Sequence, residues 1–284
     1  MQGRITKQIS NQYTVDVGAD KLVCSARGKF KNMGLSPVVG DIVDIDTTTK
    51  TIEKIQTRRN KLERPIVANI DVALIVTSLK KPDLSYTLLD KLLTIVKANN
   101  IEPIIVLTKL DLLSKKELKL VKKDLKYYEK LGIKVIPNTK LRKLKRILSH
   151  KVVVLTGQSG AGKSSILNKL DKTLNLATKP ISEALNRGVH TTRHTELYKI
   201  NNMYLVDTPG FSALDLNDID TQTLIATFPE FAKFECIYKD CTHNNEKNCG
   251  VKKAVEDGLI LPSRYANYCK FLKEVYENSS KLYK

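Results

Sequence analysis

This sequence lacks tryptophan and any apolar run long enough to cross a membrane. It also has too few acidic residues to balance its basic ones. No stretch approaches the roughly twenty apolar residues that a spanning helix needs, so we expect no membrane span. Tryptophan is absent and aromatic residues make up 6% of the chain, which leaves few rings on which nucleic-acid bases can stack. The formal net charge of +18 favours a polyanionic partner such as RNA. A lysine-rich proteome would raise this charge too, so charge alone does not decide for RNA.

The start of the chain and its cysteines bear on the compartment. No charged segment followed by an apolar one opens the sequence, so we expect a cytoplasmic protein. Disulfides are disfavoured there, and the five cysteines form an odd set. We interpret Cys24 and Cys269 as ordinary thiols.

The other three cysteines lie close to one histidine near the end of the chain. Cys236, Cys241, His243 and Cys249 offer three thiolates and one imidazole, the tetrahedral donor set suited to structural Zn²⁺. Four protein ligands leave no position for a reacting water. The alternative is a chance cluster of buried cysteines.

A glycine-rich turn stands between an apolar run and a helix-like stretch in the middle of the chain. It reads Gly157-Gln158-Ser159-Gly160-Ala161-Gly162-Lys163-Ser164-Ser165, with every position of a P-loop filled. Backbone N–H groups of such a loop cradle phosphates, Lys163 reaches the outer phosphates as a candidate catalytic residue, and Ser164 is a candidate Mg²⁺ ligand. The alternative is an ordinary glycine turn, which the flanking strand and helix disfavour.

Two further motifs follow predicted strands. Thr108-Lys109-Leu110-Asp111 comes after an apolar run, and there Asp111 accepts two hydrogen bonds from the guanine edge, a donor pair that adenine lacks. Asp207-Thr208-Pro209-Gly210 comes after residues 203–206; Asp207 serves Mg²⁺ and the Gly210 amide faces the γ-phosphate. The sequence therefore predicts a GTP site.

These motifs stand in an unusual order along the chain. The guanine motif normally comes last in a GTPase, yet Asp111 precedes the P-loop. A circular permutation explains this order, because a sheet keeps its spatial arrangement when its chain ends move. The segment after Gly210 then runs directly into the C-terminal region.

The region before the first of these motifs is β-like. Short apolar stretches at 3–5, 13–17, 22–24 and 42–45 alternate with turn residues, which predicts a five-stranded oligonucleotide-binding barrel. Basic side chains predicted to contact RNA around it are Arg27, Lys29, Lys31, Arg58, Arg59 and Lys61. The alternative is a merely solvated basic rim.

The central region alternates strands and helices. Residues 72–77 form a continuous apolar run typical of a buried parallel strand, and residues 88–96 have helical spacing. A charged amphipathic helix is predicted over 115–131, ending at Gly132. This alternation predicts a doubly wound α/β domain. The basic run at 140–146 suggests a cationic helix face, usually only solvated, which we keep as a further RNA-contact candidate.

Residues 178–195 lack periodicity and suit a GTPase switch loop. Thr191 and Thr192 are both candidates to close on Mg²⁺, and the sequence does not choose between them. His190 is a candidate general base or water-positioning group. Many GTPases orient the attacking water with a glutamine where this chain has Phe211, so we expect slow intrinsic hydrolysis.

Together these motifs resemble the ribosome small-subunit-dependent GTPase A family, also called RsgA or YjeQ, over nearly the whole chain. The resemblance implies an oligonucleotide-binding barrel at 1–64, a circularly permuted P-loop GTPase domain at 65–222, and a mainly helical zinc-binding domain at 223–284. It also implies late maturation of the small ribosomal subunit, with that subunit stimulating GTP hydrolysis to GDP. We expect a monomer that binds ribosomal RNA.

Two positions depart from the family pattern. Thr108 replaces the usual asparagine, which we expect to weaken the tether between the guanine motif and the P-loop. Val189 replaces the arginine of the usual Gly-Arg-His-Thr-Thr switch, which puts the switch chemistry in doubt.

Two other functions compete with this interpretation. One is an RNA-binding assembly scaffold clamped by GTP, with incidental hydrolysis. The other is an ATP-using P-loop enzyme such as a small kinase, which Asp111 disfavours.

Overall fold

The chain folds into an N-terminal barrel, a central sheet with helices on both faces, and a helical C-terminal region. This arrangement confirms the expected multidomain fold class. None of the described helices is long and apolar enough to cross a membrane. The computed structural model describes residues 1–28, 30, 34–63, 66–171, 195–206 and 215–282.

The barrel is closed by five strands in the order β1-β2-β3-β5-β4, as predicted. Alternate side chains point inward, and Ile5, Val15, Val43 and Ile52 are fully buried there, as expected of strands with one face on a core. The strands are β1 Gln2–Ile9, β2 Gln12–Asp16, β3 Lys21–Ala26, β4 Ile42–Asp46 and β5 Thr51–Ile55.

A hairpin of two short strands, β6 Lys61–Glu63 and β7 Ile66–Ala68, connects the barrel to the central sheet. The central sheet has six strands in the order β10-β9-β8-β11-β13-β12, and its last strand is antiparallel to its neighbour while the others run parallel. These strands are β8 Val72–Ser78, β9 Glu102–Thr108, β10 Lys134–Pro137, β11 Val152–Thr156, β12 Leu197–Ile200 and β13 Met203–Val206.

Strand β8 is buried along its whole length, which confirms the prediction of a strand covered on both faces. Helices α1 Tyr86–Ala98 and α2 Lys115–Lys130 cover one face, and their buried residues join the same core as those of the barrel. Helices α3 Leu141–Leu148 and α4 Lys163–Leu170 cover the other face.

Local signals set the ends of α2. Ser114 and Glu117 form a reciprocal capping box at its start. Gly132 follows its C-terminal cap with φ +80°, a left-handed conformation that glycine adopts without steric cost. The helix predicted over 115–131 is therefore confirmed.

The C-terminal region packs its aromatic residues together. It contains α5 Thr221–Ala226, α6 Gly250–Glu256 and α7 Pro262–Leu282. The rings of Phe228 and Phe231 stack at 5.2 Å between centroids, and Tyr268 meets both edge-on. Ile95 of α1 is buried in the same core, so this core continues onto a helix that packs on the central sheet.

A buried ion network joins α1 to the C-terminal region. Arg264 of α7 is 1% exposed; its Nη1 lies 2.7 Å from Asp90 Oδ1 and its Nε lies 2.9 Å from Glu230 Oε1. Burial by itself lowers the pKa of Arg264, but the two carboxylates outweigh burial and raise it. Asp90 also accepts hydrogen bonds from Tyr128 at 2.8 Å and from Asn267 at 2.6 Å.

Removing the cation from this network should destabilise the fold. Arg264→Met leaves Asp90 and Glu230 buried without their partner, so we expect a loss of about 3–5 kcal/mol in the free energy of unfolding, measured by denaturant titration. The control is Lys273→Met, because Lys273 is exposed and lies 3.9 Å from Glu277; there we expect a change below about 0.5 kcal/mol. Equal losses in the two variants would contradict the structural role of the network.

Candidate nucleotide site and metal centre

The P-loop turn leaves the end of β11 and enters α4. Gly157 has φ +132°, and a Cβ built there would lie 2.1 Å from the carbonyl oxygen of Val76. Gly162 has φ +95° and caps α4. Both positions therefore require glycine, because a side chain is strained at these angles and has no space at residue 157.

The ammonium of Lys163 folds back over this turn. Its Nζ donates to the carbonyl oxygens of Gly157 at 2.7 Å and Gln158 at 3.0 Å. Burial lowers the pKa of Lys163. The loop therefore holds a half-buried cation beside its own backbone, where it can meet an anionic phosphate chain.

The predicted guanine motif meets the P-loop at the same edge of the sheet. Thr108 ends β9 and is buried, and its hydroxyl donates to the carbonyl oxygen of Ala161 at 2.6 Å. The ammonium of Lys109 donates to the carbonyl oxygen of Gly160 at 2.9 Å. Thr108, which replaces the usual asparagine, thus tethers the guanine motif to the P-loop through its hydroxyl.

Asp111 lies in a single 3₁₀ turn over Leu110–Leu112. Its side chain is exposed, so the carboxylate is open to a ligand at this edge. Lys109, just before the turn, has φ +57°, an uncommon angle for a residue with a side chain. The two hydrogen bonds of Thr108 and Lys109 to the P-loop therefore fix the position from which Asp111 projects.

Helix α1 begins beside the P-loop. Ser85 caps this helix by accepting a hydrogen bond from the Leu88 amide, and both residues line a small cleft with Gly157 and Gln158. Asp90, a member of the buried ion network, lies in the next half turn. One helix therefore contacts the P-loop at its start and the C-terminal region along its side.

The remaining predicted residues of the nucleotide site lie outside the described part of the chain. Their roles stay predictions. They are His190, Thr191, Thr192, Asp207 and Gly210, together with Phe211.

The predicted metal ligands converge. Cys236, Cys241, His243 and Cys249 each turn one ligand atom toward a common point, and these atoms lie within 4.8 Å of one another. The Nδ1 atom of His243 is 3.4 Å from the Cys236 sulfur and 3.5 Å from the Cys249 sulfur. Three sulfurs and one imidazole nitrogen at this spacing fit one structural metal ion.

The loop that carries these ligands is held from several sides. Glu246 accepts hydrogen bonds from the amides of Thr242 at 2.6 Å and Asn244 at 2.8 Å. Burial would raise the pKa of Glu246, but a hydrogen bond from the Thr242 hydroxyl at 2.7 Å, together with the bonds from the amides, outweighs it and lowers the pKa to about 2. The hydroxyl of Tyr265 donates to the His243 carbonyl at 2.8 Å. These contacts preorient the ligands.

Burial and nearby backbone amides shift the pKa values of the ligand side chains. Burial raises the pKa of the Cys241 thiol to about 12. Burial acts the same way on Cys236, but the amides of Val251 and Gly250 outweigh it and lower its pKa. Burial lowers the pKa of His243, which favours the neutral ring that coordinates metals. A bound divalent cation favours the thiolate forms by direct coordination.

The basic side chains predicted to contact RNA at the barrel are paired within the protein. The pairs join Arg27 to Glu53, Arg58 to Asp41, Arg59 to Asp71 and Lys61 to Glu63. Lys29 and Lys31 lie outside the described residues. The charge of these four cations is therefore partly neutralised within the protein, although the side chains of Arg27 and Arg59 stay 48% and 61% exposed.

The hydroxyl of Thr108 should be necessary for tight GTP binding. Thr108→Val removes the donor and leaves the buried Ala161 carbonyl unpaired, so we expect about tenfold weaker binding, measured by titration with a fluorescent GTP analogue. Thr108→Ser keeps the hydroxyl and should stay within about twofold of the original. Equal loss in both variants would rule out the tether.

The cysteine cluster should hold one metal ion per chain. Cys241→Ser should abolish stoichiometric metal content, measured by elemental analysis of purified protein, and should expose α6 to proteolysis because the ligands hold its preceding loop. Cys269→Ser is the control, since Cys269 lies outside the cluster, and it should retain the metal. A full metal content in Cys241→Ser would contradict this assignment.

Comparison with known proteins agrees with this geometry. The model of the RsgA GTPase family matches residues 50–217, and that of the RsgA N-terminal domain matches residues 2–53. The chain is 43% identical to the small ribosomal subunit biogenesis GTPase RsgA 2 of Oceanobacillus iheyensis, with 96% of this chain and 97% of the relative covered. It is 41% identical to RsgA of Enterococcus faecalis, with 100% and 98% covered.

Solved structures agree as well. The crystal structure of YjeQ from Thermotoga maritima matches with a TM-score of 0.82 at 35% identity, covering 97% of this chain and 98% of that one. The circularly permuted GTPase YloQ matches with a TM-score of 0.80 at 32% identity, covering 97% and 95%. With the P-loop, the permuted motif order and the cysteine–histidine cluster in place, the chain belongs to the RsgA family of GTP hydrolases.

Proposed function

We propose that this GTPase binds the small ribosomal subunit, assists its late maturation, and leaves when GTP is cleaved. The observation that carries the proposal is full-length similarity, at 43% and 41% identity, to proteins named small ribosomal subunit biogenesis GTPases. The net charge of +18 suits a partner rich in RNA. We propose a cytoplasmic monomer divided into domains at 1–64, 65–222 and 223–284.

The nucleotide site proposed here combines described and undescribed residues. Asp111 reads guanine, the P-loop amides and Lys163 hold the phosphates, and Gly210 faces the γ-phosphate. Mg²⁺ would be held by Ser164, Asp207 and either Thr191 or Thr192, and when bound it neutralises charge on the transferred phosphoryl group. The full proposed set is Thr108, Lys109, Leu110, Asp111, Gly157, Gln158, Ser159, Gly160, Ala161, Gly162, Lys163, Ser164, Ser165, Asp207 and Gly210.

The metal of the cysteine cluster is proposed to be Zn²⁺. Three thiolates and one imidazole form a soft tetrahedral donor set, and the four ligand atoms lie within 4.8 Å of one another. Its part is structural, because all four positions are filled by protein.

Hydrolysis is proposed to depend on the ribosomal partner. Phe211 stands where a water-orienting glutamine is common, so the isolated chain has at most His190 to position the attacking water. A subunit that completes or reorders this site would couple GTP cleavage to correct binding. This proposal predicts slow turnover alone and fast turnover on the subunit.

Release is proposed to follow from the motif order. Loss of the γ-phosphate frees the loop around Gly210, which leads directly into the C-terminal region. That region packs on α1 through Asp90 and Arg264, so its movement must either carry α1 along or break a buried pair. A crosslink between the loop and the metal domain should block release, and unchanged release would contradict this route.

The decisive test compares GTP hydrolysis by the protein alone with hydrolysis in the presence of purified small or large subunits. We expect an increase of about 10-fold or more with small subunits only. Lys163→Ala is the control and should abolish the stimulated rate, because it removes the cation that contacts the phosphates. Equal stimulation by large subunits would contradict the proposal.

A GTP-clamped RNA-binding scaffold is the second candidate, favoured by Phe211. It predicts tight GTP binding without stimulation by either subunit. It also predicts that a Lys163 variant which still binds GTP retains its function in assembly. Competition by ATP as strong as by GTP would instead indicate an ATP-using enzyme.

A further inference from the structure

Helix α3 presents a cluster of cations to solvent without any acidic residue. Its four basic side chains, Arg142, Lys143, Lys145 and Arg146, are all exposed, while Leu144 and Leu148 are buried beneath them. None of the four is ion-paired within the described part of the chain. This separates them from the four barrel cations, each of which has a carboxylate partner.

Within the described residues, the flanking domains add no buried side chain to the core on the face of the sheet that carries α3. That core takes all its buried members from between residues 72 and 205, so neither the barrel nor the C-terminal region contributes to it. The neighbouring helix α4 also lacks acidic residues and exposes Lys169. The exposed cations of α3 and α4 therefore lie on this same side of the sheet, open to solvent as far as the described residues extend.

Helix α2, on the opposite face of the sheet, has a different charge pattern. It exposes lysines at 119, 122, 123 and 126, but Glu117, Asp124 and Glu129 are interspersed among its basic residues. The acidic residues therefore partly cancel the positive electrostatic field of α2 along its length, whereas α3 has no acidic residue to cancel its field.

The chemistry of α3 fits phosphate groups of RNA better than a lipid surface. A helix that binds a membrane surface inserts an apolar side into the lipid, but Leu144 and Leu148 are buried in the protein core and no large apolar side chain of α3 is exposed. Side chains three or four residues apart on a helix surface have Cβ atoms about 5–6 Å apart, so the arginines and lysines of α3 are neighbours. A guanidinium group can bind two phosphate oxygens at once through two parallel hydrogen bonds.

We propose that the exposed side of α3, formed by Arg142, Lys143, Lys145 and Arg146, is a docking surface for the phosphate backbone of RNA. This deepens the proposed function and rests on it, because the RNA is taken to be that of the small ribosomal subunit. Contacts to phosphates fix position without reading sequence. The surface therefore orients the GTPase domain on the RNA while base identity is ignored.

The test replaces all four cations of α3 by glutamine and measures binding to purified small subunits, with a non-hydrolysable GTP analogue, over a series of salt concentrations. We expect affinity at low salt to fall at least about tenfold. The slope of log affinity against log salt should lose about three units, because each phosphate contact contributes about 0.7–0.9.

The matched control replaces Lys119, Lys122, Lys123 and Lys126 of α2 by glutamine. This control removes the same charge from the opposite face of the sheet. Its affinity for small subunits should stay within about twofold of that of the original protein, and its salt slope within about one unit. GTP affinity measured on both variants checks that the nucleotide site is intact.

Unchanged affinity of the α3 variant for small subunits would overturn the α3 surface, and so would equal losses of affinity in the α2 and α3 variants. Binding to phosphatidylserine vesicles is measured beside it. If the α3 variant lost its binding to vesicles but kept its binding to small subunits, a lipid surface would be the partner instead of RNA. Failure of the original protein to bind small subunits would overturn the proposed function instead. In that case deproteinised small-subunit RNA is the probe, and the same comparison of the α2 and α3 variants decides the surface.

Discussion

The guanidinium of Arg264 lies between the carboxylates of Asp90 and Glu230 with almost no access to water. Removing a charge from water is costly, and only close partners on both sides make the burial tolerable. The guanidinium also lies 4.3 Å from the centre of the Phe228 ring, which is part of the aromatic core beneath the metal cluster. The position of the C-terminal region relative to the sheet therefore depends on this arrangement.

The same interaction connects the C-terminal region to the part of the sheet that carries the P-loop. Helix α1 carries Asp90 and begins beside the P-loop, while Thr108 and Lys109 bond to Ala161 and Gly160 at the loop itself. The P-loop and the predicted guanine motif thus meet at one edge of the sheet, and α1 connects that edge to the C-terminal region through packed residues.

Sequence patterns predicted much of this structure because their physics is local. The continuous apolar run of β8, the glycine turn at 157–165 and the four metal ligands each appear within a short stretch of chain, and the structure confirms their elements or their convergence. The buried network escaped prediction, since Asp90, Glu230 and Arg264 are far apart in sequence and look like surface residues. The sequence also does not reveal which barrel cations have an acidic partner. Asp41 pairs with Arg58 and Asp71 pairs with Arg59 only in the folded chain. The switch residues and all the Mg²⁺ ligands, Ser164 included, stay predictions.

We expect α1 and α7 to open together, as parts of one cooperative unit held by Arg264. Native-state hydrogen exchange of the full chain at low denaturant measures this directly. Buried backbone amides near Leu93 in α1 and near Phe271 in α7 should exchange through one opening, with the same free energy and the same denaturant dependence. Exchange in α7 at a markedly lower free energy than in α1 would show that the C-terminal region opens by itself, and would contradict the account.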